Sequence, residues 1–106
     1  MYLLIPSAGT GRRMGADRNK LLLNVRSHPI IAWTLLAAEA ATSIKWIGII
    51  ARSDDENDLK AIIADLNLSK PVEIILGGST RQESVFNGIN ALPAEAKFVL
   101  IQFNLA

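Results

Sequence analysis

The sequence predicts an α/β fold of the doubly wound type, a mainly parallel sheet with helices on both faces. Three observations carry that prediction. Short continuous apolar runs recur along the 106 residues, as strands buried on both faces of a parallel sheet require. Helix-period segments separate them, in the alternation of βαβ units. The first apolar run ends in a glycine-rich turn followed by cations, Ala8-Gly9-Thr10-Gly11-Arg12-Arg13 and on to Lys20, and such sheets bind ligands beyond the carboxyl ends of their strands.

The elements follow in order. Tyr2-Leu3-Leu4-Ile5 reads as a buried strand closed by Pro6. The segment from Lys20 to Val25 reads as a short extended stretch, and Pro29, at a first helical position, opens a helix from Ile30 to about Thr42 that is apolar nearly all round. Lys45 to Ala51 is a second buried strand. Ser53-Asp54-Asp55-Glu56 has the form of a capping box, opening a helix with Leu59, Ile62, Ile63 and Leu66 on one face; its acidic run reads as a solvated helix start. Val72 to Leu76 is a third strand and Gly77-Gly78 a turn. Thr80-Arg81-Gln82-Glu83 is a second capping box, before a helix with Val85, Ile89 and Leu92 inward and a possible irregularity at Asn87-Gly88. Lys97 to Ile101 is a further strand. With no repeat or low-complexity linker, residues 1–106 form a single domain.

Composition excludes several functions. Half of the residues are hydrophobic, enough for a real core. The absence of cysteine removes disulfide frameworks and thiolate metal sites and suits a cytoplasmic setting. No apolar run approaches the ~20 residues of a membrane span, and no charged segment precedes the first apolar run as in an export signal. A net charge of +1 argues against a general nucleic-acid binder. That charge is unevenly placed: residues 1–26 carry five basic and one acidic side chain, the remainder six basic and nine acidic.

The positive field therefore belongs to the first glycine loop. Glycines 9, 11 and 15 let backbone N–H groups approach an anion closely, while Arg12, Arg13 and Lys20 bring full charge, a combination suited to phosphate. Two better-known loops do not fit. Met14 stands where a dinucleotide fingerprint has its third glycine, and Gly15 is followed by Ala16-Asp17, where a Walker loop has Lys-Ser/Thr. An ordinary βα turn with solvated arginines is the plain alternative. The second informative stretch runs from Gly77 to Gly88. Its glycines leave room for a flat base, and Arg81, Ser84 and Asn87 occupy the first turns of the next helix. Read plainly, Thr80 and Glu83 cap that helix and Arg81 is a surface residue. His28, the only histidine, reads as a helix-entry residue.

Together, Pro6-Ser7-Ala8-Gly9-Thr10-Gly11-Arg12-Arg13-Met14-Gly15 with Lys20, and Gly77-Gly78-Ser79-Thr80-Arg81-Gln82-Glu83-Ser84-Val85-Phe86-Asn87-Gly88, resemble the 2-C-methyl-D-erythritol 4-phosphate cytidylyltransferases, a family of Rossmann-like nucleotidyltransferases in non-mevalonate isoprenoid biosynthesis. The first motif is shared with many sugar-activating nucleotidyltransferases; the second is narrower. Ribitol-5-phosphate cytidylyltransferases are similar too. The resemblance implies that Ala8, Gly9, Thr10, Gly11 and Arg12 wrap the triphosphate of CTP, and that Arg13 and Lys20 stabilise the transition state. It implies that Gly78 and Ser79, through backbone groups, and Arg81 and Ser84, through side chains, read cytosine. Magnesium would be held mainly through the CTP phosphates, no metal ligand being assigned in this chain. The substrates would be CTP and 2-C-methyl-D-erythritol 4-phosphate, with pyrophosphate released.

The departures are specific. Ser7 stands at a usual alanine. After Ile101 the family continues His-Asp-Gly/Ala-Ala-Arg-Pro, its aspartate helping to hold metal and nucleotide, whereas this chain reads Gln102-Phe103-Asn104-Leu105-Ala106. About half of a family member lies beyond this point, including its dimerising arm and its acceptor-binding residues. The expectation is an incomplete, catalytically impaired form that exposes an open sheet edge and self-associates as a homo-oligomer. A non-catalytic CTP-binding or oligomer-forming remnant is the alternative.

Overall fold

The structure is a computed structural model that describes residues 1–7 and 20–101, and of residue 20 the backbone alone. Its centre is a four-stranded, all-parallel sheet in the order β5-β4-β1-β6: β1 is Tyr2–Pro6, β4 Trp46–Ala51, β5 Val72–Leu76 and β6 Val99–Ile101. The chain steps outward from β1 through β4 to β5, then crosses back to place β6 on the other side of β1. With crossovers of constant hand, that reversal puts the helices on opposite faces. α1 (Ile30–Ala40) and α2 (Glu56–Leu66) cover one face, where Leu3, Ile5, Ile47, Ile49 and Ala51 meet Ile31, Leu35 and Leu59. α3 (Arg81–Asn90) lies over the other, above Leu4 and Ile50. The doubly wound reading holds.

β4 is buried along its whole length, as its apolar run requires, and β1 is sealed between two neighbours. Gly48 has a packing reason. A Cβ there would lie 2.6 and 2.8 Å from ring atoms of Trp46 and 2.9 Å from Ile75, so the missing side chain is what lets the indole lie along the strand. At the margins, β6 is shorter than the predicted Lys97–Ile101. The Tyr2 N–H still donates to the Phe98 carbonyl at 3.0 Å, but Phe98 is 72% exposed, and among the described residues β6 pairs only with β1.

Three local differences from the sequence reading have physical causes. First, the stretch from Lys20 to Val25 is a 3-10 turn, Lys20–Leu22, followed by a hairpin in which β2 (Asn24–Val25) pairs antiparallel with β3 (His28–Pro29). Arg26 and Ser27 at its tip have φ of 52° and 73°, the left-handed conformation that a two-residue hairpin turn demands at both positions. Trp33 holds the hairpin to α1: its indole N–H donates to the Val25 carbonyl at 2.7 Å, and its ring meets His28 edge-on with centroids 5.0 Å apart. His28 therefore precedes α1 within β3, and Pro29 is the cap position, one residue before the expected helical site.

Second, Ser53–Asp55 forms a 3-10 turn ahead of α2 without a side-chain cap bond. Asp55 is buried, whereas Asp54 projects outward and pairs with Arg52 at 3.6 Å; the acidic run is only partly a solvated start. Third, α3 is rotated from the expected face. Ser84 and Gly88 are its buried positions, and Ile89 is exposed. The helix is regular through Asn87-Gly88, and Gly88 lets it approach the sheet, because a Cβ there would lie 2.6 Å from the Ile50 Cδ1 and 3.3 Å from the Leu4 Cδ1.

A polar clamp joins the C-terminus of α1 to the loop between α2 and β5. The Lys70 ammonium donates to the carbonyls of Ala38, at 2.7 Å, and Ala41, at the negative end of the helix. The Glu39 carboxylate accepts the Ser69 hydroxyl and the N–H groups of Ser69, at 3.1 Å, and Lys70, at 3.4 Å. The Ser69 hydroxyl is the main reason the Glu39 carboxyl titrates below its ordinary value; partial desolvation opposes it, and the two N–H groups and the Lys70 charge add to it.

Two outcomes are expected. Gly48→Ala drives a methyl into the Trp46 ring and lowers stability by ~1–3 kcal/mol, read as a drop in Tm. The stabilisation from Glu39 is present above the ordinary glutamate value and is lost as pH falls through it toward the lower folded-state value. Glu39→Gln is therefore expected to show a shallower fall of Tm with acid below about pH 4.5 than the unsubstituted chain.

Candidate nucleotide site

β1, β4 and β5 run parallel, so their carboxyl ends lie at one end of the sheet. β4 organises that end. Ser7, the first residue beyond β1, donates both its N–H, at 2.7 Å, and its hydroxyl, at 2.9 Å, to the Ile50 carbonyl. Gly77, the first residue beyond β5, donates its N–H to the neighbouring Ala51 carbonyl at 2.9 Å. The glycine loop that begins at Ala8 and the turn at Gly77-Gly78 thus leave the sheet from adjacent peptide groups of one strand. The reversal of strand order lies between β1 and β6, beside Ser7 at the end of β1, the place where such sheets take their ligands.

The second motif is defined in detail. Thr80 caps α3 from an extended conformation, its hydroxyl accepting the Glu83 N–H at 3.1 Å while its carbonyl accepts the Ser84 N–H at 3.0 Å. The Glu83 carboxylate does not close the expected box; it accepts the Ser79 hydroxyl. Ser84 is buried, and its hydroxyl accepts the Gly78 N–H at 3.0 Å and lies 3.5 Å from the Gly78 carbonyl. One turn further on, the Asn87 amide donates to the Leu76 carbonyl at 3.2 Å. Arg81 stands exposed in the first turn of α3. Gly78 sits against α3 so closely that an added Cβ would collide with the Glu83 Cβ.

Of the predicted site residues, Gly78, Ser79, Arg81 and Ser84 are therefore gathered within one strand–turn–helix corner. Ala8, Gly9, Thr10, Gly11, Arg12 and Arg13 lie outside the described residues, and Lys20 is described only as the first residue of its 3-10 turn. Sequence reasoning placed Ser84 and Asn87 in the first turns of the helix but did not specify the backbone groups they hold. Among the described residues no group of three or more His, Asp or Glu side chains is placed to hold a metal ion, and no helix is long and apolar enough to cross a membrane.

The family model for 2-C-methyl-D-erythritol 4-phosphate cytidylyltransferase (IspD) matches residues 1–103. The chain belongs to this family. A 2-C-methyl-D-erythritol 4-phosphate cytidylyltransferase of Nostoc sp. (strain PCC 7120) is 70% identical over 101 residues, covering 95% of this chain and 44% of the relative. The enzyme of the same name from Microcystis aeruginosa is 58% identical over 101 residues, with 95% and 45% covered. Among solved structures, the 4-diphosphocytidyl-2C-methyl-D-erythritol synthase of Anaerococcus prevotii superposes with a TM-score of 0.80 at 25% identity, covering 96% of this chain and 42% of that one. The chain thus spans less than half the length of these relatives. Relatives and family are cytidylyltransferases, and the α/β architecture is theirs.

Gly78→Ala tests how tightly this corner is built. The new methyl has to displace the first turn of α3, and a loss of ~1–3 kcal/mol of stability is expected, measurable by urea unfolding, where a surface glycine in an open turn would change little.

Proposed function

We propose that this chain supplies the CTP-holding part of a transferase that moves CMP from CTP to 2-C-methyl-D-erythritol 4-phosphate. An oxygen of the acceptor's 4-phosphate forms a bond to the α-phosphorus, the bond from that phosphorus to the bridging oxygen breaks, and pyrophosphate leaves. The observation that carries the reading is the departure of both glycine segments from adjacent β4 carbonyls, in a chain of this family. In this reading Ala8 to Arg12 hold the triphosphate, and Arg13 and Lys20 face the charge that builds on the α-phosphoryl oxygens, where fixed cations bind the transition state more strongly than the ground state. The corner of Gly78, Ser79, Arg81 and Ser84 takes cytosine. No side-chain nucleophile is required.

Magnesium belongs to the proposal as a companion of CTP. In this reading its seat is on the triphosphate, and no step is assigned to it. The names of the relatives favour methylerythritol phosphate over ribitol phosphate as acceptor. Reduced turnover by the 106 residues themselves is part of the reading, supported by Gln102-Phe103 where the family pattern has His-Asp. A cytoplasmic setting rests on the cysteine-free composition, and self-association on the exposed Phe98, Val99 and Leu100 along the edge formed by β6.

Calorimetry with magnesium present checks the binding half. CTP is expected to bind at least about tenfold more tightly than UTP or GTP, and Lys20→Ala to weaken CTP and inorganic triphosphate alike by roughly tenfold or more. Equal or absent binding of the three nucleotides overturns the cytosine assignment. An unchanged triphosphate affinity in Lys20→Ala overturns the role given to that cation.

A further inference from the structure

Two side chains of α3, at i and i+3, hold the backbone of Gly78 and Leu76 at the end of β5. Ser84 accepts the Gly78 N–H at 3.0 Å, and Asn87 donates to the Leu76 carbonyl at 3.2 Å. Between them the Gly77 N–H is tied to the Ala51 carbonyl at 2.9 Å. Asn87 and Ala51 hold the two ends of one peptide unit, the Leu76 carbonyl and the Gly77 N–H, and Ser84 holds the N–H end of the next, the Gly77-Gly78 peptide. Glycines make such fixing necessary: without a Cβ, the Gly77-Gly78 peptide has access to conformations that reverse its carbonyl and N–H. The amide orientation of Asn87 follows from its partner, since a carbonyl accepts from the amide nitrogen and repels the amide oxygen.

Peptide orientation bears directly on base choice. Cytosine presents an amine donor at position 4 and an acceptor at N3; uracil presents an acceptor at position 4 and a donor at N3. A fixed carbonyl and N–H pair matches one of these and mismatches the other, and a peptide that rotates freely matches both. We propose that Asn87 is a positioning residue for base selectivity: by holding the Leu76 carbonyl, it adds the second anchor to the Leu76–Gly77 peptide and so fixes the direction in which the Gly77 and Gly78 peptide groups leave the strand, in the one orientation that favours cytosine over uracil. This rests on the reading of the corner as the cytosine pocket. Asn87 itself is half-buried on α3 and acts through the strand end it restrains.

The test uses the 106-residue chain and two variants: Asn87→Asp, nearly isosteric but without the amide donor, and Asn87→Ala, which removes the group altogether. CTP, UTP and inorganic triphosphate are titrated with magnesium, and exchange of the Gly78 amide proton is followed by NMR. The expected result is a five- to tenfold fall in the ratio of CTP to UTP affinity in both variants, unchanged affinity for inorganic triphosphate, and faster exchange at Gly78. A selective unsubstituted chain whose ratio survives in both variants overturns the inference and leaves the pocket reading intact. An unsubstituted chain that binds CTP and UTP alike overturns both. Equal weakening of CTP, UTP and triphosphate overturns the inference as well, because it marks a general loss of structure, and a thermal melt confirms that case.

Discussion

The carbonyl groups of Ile50 and Ala51, at the end of β4, are the point on which the site depends. A parallel strand has evenly spaced, slanted hydrogen bonds on both sides, so its last two carbonyls face different neighbours. Here one receives Ser7 and the other Gly77. The Ser7 hydroxyl doubles the first attachment from a buried position, a contact unavailable to the alanine usual there in the family pattern. Two segments 70 positions apart in the sequence are thereby set side by side by one rigid strand, itself buried along its length. Functional groups carried on loops gain accuracy when the loop roots are fixed in this way.

How much of this was legible in the sequence follows from where the deciding forces act. The runs at Leu3 and Ile47 announced strands because burial on both faces demands uninterrupted apolar residues, and the boundaries of β4 and β5 fall within a residue of the reading. The hairpin at Arg26-Ser27 was invisible because its left-handed turn lacks the glycine or asparagine that marks such turns; its support comes from Trp33, a residue of the following helix. The face of α3 was misjudged at Ile89 because apolar periodicity cannot register a helix drawn in by an absent side chain at Gly88. Asp55 was misplaced because a tight 3-10 turn points neighbouring side chains in different directions.

Within the site, residue types were informative and their partners were not. Glycine pairs, a threonine cap and an arginine near a helix start are readable as a corner that faces a ligand. That Ser84 and Asn87 turn toward their own backbone depends on the distance between α3 and β5, which only the packing of Gly78 and Gly88 sets. One glycine in the turn and one in the helix therefore govern the geometry of polar groups that bear on recognition.

The strand order has a kinetic consequence. β1 is synthesised before both of its partners, and β4 and β6 lie 44 and 97 positions further along in register. The loop-closure entropy of both pairings has to be met before the sheet is finished, which makes folding slow relative to a chain of local contacts. Until β4 arrives, Leu3, Leu4 and Ile5 have no parallel neighbour, and until β6 arrives one side of β1 remains a bare edge. Nascent chains of this topology are for that interval clients for whatever shields apolar strands during synthesis.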